Sequence, residues 1–445
     1  MKITFIRPHL THKRAVDALE PLVFAILASL TPPDVELAFH DDRIEPIPFD
    51  QPTDLVALTV ETFTAKRAYQ IAAQYRQRGI PVVMGGFHPT LLPDEVQRYA
   101  DAVVVGDAEN VWPEIVRDAR AGRLKPRYQS SAPPALQGLR PDRSIFPKNR
   151  YNALRLVQFG RGCRFACDFC SIHAFYGATL SRRCLDDVTA EVDGIRRSYL
   201  LFVDDNLFVN ESQAEELFRA LTPLKVRWIC QTSIDLAQNS RLLRLMARSG
   251  CIAVFIGFES LNEANLTQMK KKWNIKQGDF AASVRRFYEH GIMVCGSFVF
   301  GYDHDTPEIF DRTLDFAMRS RLVLAQLNPL IPTPGTPLYQ RLQAEGRLLY
   351  ERWWLDDDYR YGQAIFTPKS MSAAELTENC FRLRRDFNSY GSIFQRALPS
   401  PNARSPHHLL AFLAANLVSR KEIFSKQWEP LGDGSLLPLP GKEST

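Results

Sequence analysis

The stretch GRGCRFACDFCSIHAFYG, residues 160–177, carries Cys163, Cys167 and Cys170 in a C-x3-C-x2-C spacing, with Phe169 directly before the last. Four thiolates close a structural zinc site or satisfy a fully ligated iron–sulfur cluster. Three thiolates on a [4Fe–4S] cube leave one iron without a protein ligand, and a small molecule with an amine and a carboxylate can chelate that vacancy. The spacing alone equally admits a Cys3His zinc site completed by His173. The sequence on either side separates the two.

An apolar strand pattern, LRLVQFG (154–160), leads directly into the cysteines. Five more β-rich runs follow: YLLFVDDN (199–206), VRWICQTSI (226–234), IAVFIGFE (252–259), IMVCGSFVFG (292–301) and LVLAQLNPL (322–330). Helical stretches separate them, so residues 151–340 predict a partial (β/α)6 barrel of TIM type, with chemistry at the carboxyl ends of its strands. The cysteines sit in the loop after its first strand. Residues 1–122 alternate strand candidates (2–8, 35–42, 54–62, 80–86, 102–108) with helical segments and predict a doubly wound, Rossmann-like α/β domain. In such a sheet ligands lie beyond the strand ends, which here carry Thr59, Gly85, Gly86, His88, Gly106 and Glu109. Five prolines interrupt residues 123–150, which read as a linker. Residues 341–445 read as a helical C-terminal region closing in a loose tail, GDGSLLPLPGKEST.

The 445 residues are 45% hydrophobic and 24% charged, with a net charge of +5. That balance suits a globular chain and gives no basic block for nucleic acid; Lys270, Lys271 and Lys272 read as a solvated helix end. Eight cysteines, three of them clustered and without a signal peptide, point to metal binding in a reducing cytoplasm. No apolar run approaches the roughly 20 residues that span a bilayer. The nearest, LLAFLAANLV (409–418), either packs on its own domain, the favoured expectation, or lies on a membrane surface with Arg420 and Lys421 at its end.

The three cysteines, with an aromatic residue before the last and a barrel around them, resemble the signature of the radical S-adenosylmethionine (SAM) superfamily. The resemblance implies that Cys163, Cys167 and Cys170 hold a [4Fe–4S] cluster. It further implies that Glu259 in FIGFES (255–260) contacts SAM, and that Asp204 and Asp205 in FVDDN (202–206) face its amino group. Gln231 and Ser233 in QTSID (231–235) would offer polar groups to its ribose. VVMGGFHPTLLPDE (82–95), VVVGDAEN (103–110) and the helical extension resemble the cobalamin (B12)-binding class, including hopanoid-modifying members. This implies a corrin beside Thr59, Gly85, Gly86, His88, Gly106 and Glu109. Methionine-synthase-like domains carry D-x-H-x-x-G, whose histidine ligates cobalt; here position 44, two residues after Asp42, is isoleucine.

The expected activity is reductive cleavage of SAM and cobalamin-dependent methylation of an unactivated carbon on a small-molecule or lipid-like substrate. An external donor of flavodoxin or ferredoxin type would supply electrons. Alternatives are transfer of the 3-amino-3-carboxypropyl group, with trivalent arsenic on Cys230 or Cys295 as one soft acceptor site, or a cyclisation or rearrangement. A zinc-binding module is the non-enzymatic alternative. His88 could touch the corrin tail or bond its own backbone. Tyr302 and His304, just past a strand, are candidates for acid–base work, while Asp303 and Asp305 are expected to cap the following helix.

Overall fold

Short β-branched runs such as LVALT (Leu55–Thr59), VVMG (Val82–Gly85) and AVVV (Ala102–Val105) are buried along almost their whole length. Near-continuous apolar strands of this kind need cover on both faces, the condition of a parallel sheet. In the computed structural model, which describes residues 1–148, 150–195, 199–398 and 401–435, they form one. Strands β1 (Lys2–Arg7), β2 (Glu36–Asp41), β3 (Leu55–Thr59), β4 (Val82–Gly85), β5 (Ala102–Val105) and β6 (Arg127–Gln129) run in the order β2-β1-β3-β4-β5-β6, every pair parallel. Helices Leu22–Leu30 and Trp112–Arg120 pack on one face and Ala65–Arg76 on the other. The order reverses between β1 and β3, which opens a crevice at their carboxyl ends.

Strand β6 lies inside the segment expected to be linker, so the first sheet extends past residue 122. Pro126 precedes the strand rather than interrupting it, and Tyr128 is buried with its hydroxyl donating to Asp118 at 2.9 Å.

The second sheet has the expected six strands: β7 (Leu154–Val157), β8 (Tyr199–Phe202), β9 (Arg227–Thr232), β10 (Cys251–Glu259), β11 (Met293–Phe300) and β12 (Ala325–Pro329). Each pairs in parallel with its sequence neighbour, giving an open barrel. Its helix-facing layer includes Leu200, Phe202, Trp228 and Cys230, packed against Val188, Leu217 and Leu242 from the intervening helices. Cys295 lies in a separate cluster with Ala253, Met293, Ile393 and Phe412, filled by the C-terminal helices. Neither thiol therefore offers a soft acceptor site.

The C-terminal region is helical over Pro337–Ala344, Ala373–Phe387, Tyr390–Ala397 and Pro406–Lys426. The irregular residues between the first two helices tie the domains together: Trp353 and Trp354 are fully buried against the first domain, and Trp354 Nε1 donates to Glu95 at 2.9 Å. Helix Pro406–Lys426 does pack on its own chain, through Phe412 and Asn416, but Leu410, Leu413 and Leu417 on its other side are exposed. Among the described residues no helix is long and apolar enough to cross a membrane. The tail beyond Ser435 lies outside the described residues.

Candidate active site

Strand β7 ends at Val157, and a two-residue antiparallel ladder, Gly160–Arg161 with Ser181–Arg182, closes the loop that holds the cysteines. Gly162 turns into it at φ +88°, where a Cβ would lie 2.1 Å from the Thr179 carbonyl; only glycine fits. Cys167 is buried, and Cys163 and Cys170 are half-buried. Burial raises all three thiols, Cys167 up to about 12, against lowering from backbone N–H groups at Cys163 and Cys170 and from Lys271 at Cys163 and Cys167. Such a trio ionises only beside a cation, as thiolate ligands do when a metal binds. His173, the fourth ligand of a zinc site, instead turns its Nδ1 to the Gly177 carbonyl at 3.1 Å. Among the described residues no three His, Cys, Asp or Glu side chains converge on a single ion. Three thiols on one loop are the donor set of a [4Fe–4S] cube with one iron left open.

The loop is braced from the barrel. Tyr302, fully buried, donates its hydroxyl to Asp168 at 2.6 Å, between the second and third cysteines. It is a positioning residue, not the acid–base group expected. His304 is exposed and holds its turn through backbone atoms, its N–H donating to Asn265 and its carbonyl accepting from Asn262. The aspartates do not cap the next helix either. Asp305 accepts from Gly301 N and Asn265, and Asp303 gathers Gln268, Arg341, Arg347 and Lys369. Helix Glu308–Arg319 starts after Pro307 without a side-chain cap.

The five residues expected at SAM divide. Glu259 ends β10 at φ +64°, and its carboxylate accepts from Lys271 Nζ at 2.7 Å. Lys271 is thus a buried partner, not part of a solvated helix end. Gly257 makes room for the pair, since a Cβ there would lie 2.1 Å from Glu259 Oε1 and 2.8 Å from Lys271 Nζ. Asp205 accepts from Gly162 N through one oxygen, and Gln231 Nε2 donates to the Asp205 carbonyl. Ser233 accepts from Asn206 at 3.2 Å. All four stand at strand ends on the cysteine side.

Asp204 does not share that role. Its two oxygens accept from Phe159 N and Gly160 N at 2.9 and 2.5 Å, and it is 2% exposed. It clamps the exit of β7. Burial pushes its carboxyl up to about 7, against those two donors. A raised carboxylate pKa means that the folded state holds its proton longer than the unfolded chain. The stability this contributes is complete below about pH 4 and lost as pH rises through about 7, on the order of 4 kcal/mol at most. Urea midpoints measured across that window should therefore fall less steeply in Asp204→Asn than in the parent chain; equal slopes would contradict the assignment.

The crevice of the first sheet forms a cavity of about 700 Å³ that reaches the barrel. Thr59, Gly85, Gly86, Gly106 and Glu109 line it, as expected of a ligand at those strand ends. Gly86, at φ +113°, lies so close to β3 that a Cβ would sit 2.9 Å from the Val60 carbonyl. His88 is absent from the lining, and its ring makes no hydrogen bond to its own backbone. Its Nε2 sits 3.0 Å from the Tyr69 hydroxyl and 3.2 Å from Glu95, beside the Trp354 ring. Residues not foreseen close the far wall: Gln158, Arg161, Phe175 and Tyr176 around the cysteine loop, and Tyr361 and Lys426 from the C-terminal region. Arg161 latches the domains, pairing with Asp107 at 2.6 Å and Glu109 at 2.5 Å. Its position two residues before Cys163 was the one signal in the sequence.

The radical SAM superfamily profile matches residues 157–317. Bacteriochlorophyllide d C-12(1)-methyltransferase of Chlorobaculum tepidum is 32% identical over 394 residues, covering 86% of this chain and 85% of that protein. Hopanoid C-2 methylase of Rhodopseudomonas palustris is 26% identical, covering 75% and 66%. Among solved structures, the radical SAM methyltransferase TsrM of Kitasatospora setae, with cobalamin and a [4Fe–4S] cluster bound, shares the fold with a TM-score of 0.63 at 17% identity, over 77% of this chain and 75% of that one.

Proposed function

Because the chain belongs to the radical SAM methyltransferases, we propose that it methylates an unactivated carbon of an apolar polycyclic substrate, foremost a chlorophyllide-type tetrapyrrole, with cobalamin held in its N-terminal domain. The observation that carries this is the shared wall. The cavity of the first domain is closed by Arg161, Phe175 and Tyr176, which belong to the same loop region as the three cysteines. A methyl carrier in that cavity and SAM at the barrel mouth would meet across it.

Cys163, Cys167 and Cys170 would hold the [4Fe–4S] cluster, which when bound supplies the electron that cleaves SAM. Thr59, Gly85, Gly86, Gly106 and Glu109 would hold cobalamin, which supplies a transferable methyl group. Everything else falls to the chain. Asp205, Gln231, Ser233 and Glu259 orient SAM, while Asp204, Lys271 and Tyr302 hold the loops that present these groups. The C-terminal region and the Arg161 latch wall the cavity on its far side, which limits the access of water there. The neutral lining from Leu22, Leu27, Ala57 and Val83 favours apolar contact deep in the first domain. A flavodoxin- or ferredoxin-type donor reduces the cluster, in a reducing cytoplasm.

Cobalamin binding is tested directly by Gly86→Val. The left-handed φ and the Val60 carbonyl make the substitution costly by about 1–3 kcal/mol, and the strain falls on the cavity wall. Equilibrium dialysis should show cobalamin affinity reduced by about tenfold or more, with iron content unchanged; undiminished binding would remove the corrin from this crevice. The substrate is tested by offering the reconstituted enzyme a bacteriochlorophyllide and seeking a product heavier by one methylene. No such product, with SAM cleavage intact, would mean another substrate class.

A further inference from the structure

Among the described residues eleven large hydrophobic side chains are exposed, and eight of them fall between Tyr390 and Trp428. They are arranged, not scattered. Leu410, Leu413, Leu417 and Phe424 recur at helical spacing along the outer side of helix Pro406–Lys426, a stripe about 20 Å long at the α-helical rise. Tyr390 and Phe394, 67% and 68% exposed, stand on the neighbouring helix Tyr390–Ala397. The Arg420 guanidinium lies 4.4 Å from the Tyr390 ring centroid and 5.0 Å from that of Phe424, joining the two helices into one surface.

The long helix carries a single carboxylate, Glu422, which is buried and turned to Val16 N and Lys426. Lys421 is exposed on the stripe. At the start of the helix, Arg404 and His408 share a cavity of about 360 Å³ with Lys225, Arg227, Arg248 and His290, and no aspartate or glutamate lines it. His408 fixes the helix there, its Nε2 donating to the Gly291 carbonyl at 3.1 Å.

We propose that this face docks on the surface of an anionic lipid bilayer, with the apolar stripe seated at the headgroup boundary and the basic cavity on lipid phosphates. An apolar helix face with aromatic residues, cations and no outward carboxylate is the composition of an interfacial helix. A second copy of this chain fits less well, because a two-fold contact sets identical patches against each other and would bring the cations of the long helix, Arg420 and Lys421, toward their own copies. The proposal does not depend on which substrate the enzyme methylates.

The test is co-sedimentation of the full-length, cluster-loaded protein with phosphatidylglycerol vesicles, with phosphatidylcholine vesicles as the uncharged comparison. Binding to the anionic vesicles should exceed binding to the neutral ones and weaken with salt. Leu413→Ser/Leu417→Ser, at exposed positions, should reduce it about tenfold or more while leaving SAM cleavage and thermal unfolding unchanged. Arg227→Gln/Arg248→Gln should remove the preference for anionic lipid. Failure to sediment with phosphatidylglycerol would overturn the proposal. So would a dimer in solution that Leu413→Ser/Leu417→Ser dissociates while vesicle binding is absent.

Discussion

Cys170→Ala is expected to yield a folded, nearly colourless protein that neither retains a full complement of iron nor cleaves SAM. The fold should survive because Cys170 is half-buried and its backbone N–H, which donates to the Cys167 carbonyl at 3.2 Å, is untouched by the change. The chemistry should not, because two thiolates cannot hold a cube that already spares one ligand. Loss of an outer-shell partner commonly costs roughly 10–100-fold in metal affinity, and removing a direct ligand must cost more. Cys184→Ala is the internal control: that thiol is exposed and outside the loop. Iron per chain, visible absorbance and 5′-deoxyadenosine are the readouts. Wild-type values for all three in Cys170→Ala would remove this residue from the site.

Lys271→Met is expected to be the most destabilising single change near the site. Lys271 and Glu259 each have side chains 10% exposed, their charges 2.7 Å apart, and the lysine also donates to the Gly257 carbonyl at 2.8 Å. Removing one member of a buried pair leaves the other uncompensated, at about 3–5 kcal/mol. The same lysine is the leading positive influence on Cys167, so iron loading should weaken as well. Glu259→Gln/Lys271→Met should recover most of the stability, because two neutral groups replace two charges. It should not recover SAM affinity if Glu259 is a SAM ligand. Urea unfolding separates the first effect and equilibrium binding of SAM the second. A loss below about 1 kcal/mol in the single variant would deny the pairing, and full SAM affinity in the double variant would free Glu259 of its role.

The sheets were legible in the sequence because parallel strands covered on both faces are written as unbroken apolar runs. All six barrel strands begin and end close to those runs, and the cysteine spacing, read together with the strands around it, pointed to a cluster. What stayed hidden was pairing across long separations. Lys271 looked like one of three solvated lysines because nothing local points it at Glu259, twelve residues back and around a strand end. His88 lies in a glycine-bearing loop that invites a ligand, yet Tyr69, Glu95 and Trp354 from three separate segments claim it. The Asp204-Asp205 pair reads as one motif, but a one-residue step at a strand end turns one carboxylate back onto β7 and leaves the other at the loop. The latch from Arg161 to Asp107 and Glu109 spans more than fifty residues and has no periodic trace. Strand β6 was missed because three residues among prolines carry too little pattern to distinguish from linker.

If one protein joins reductive SAM cleavage to methyl transfer from cobalamin, the products of SAM report both reactions. The anaerobically reconstituted enzyme, supplied with reductant, cobalamin and a bacteriochlorophyllide, should form 5′-deoxyadenosine and S-adenosylhomocysteine together, with methylated product in step. Deoxyadenosine without S-adenosylhomocysteine, or 5′-methylthioadenosine as the main product, would contradict methyl transfer as the reaction of this site.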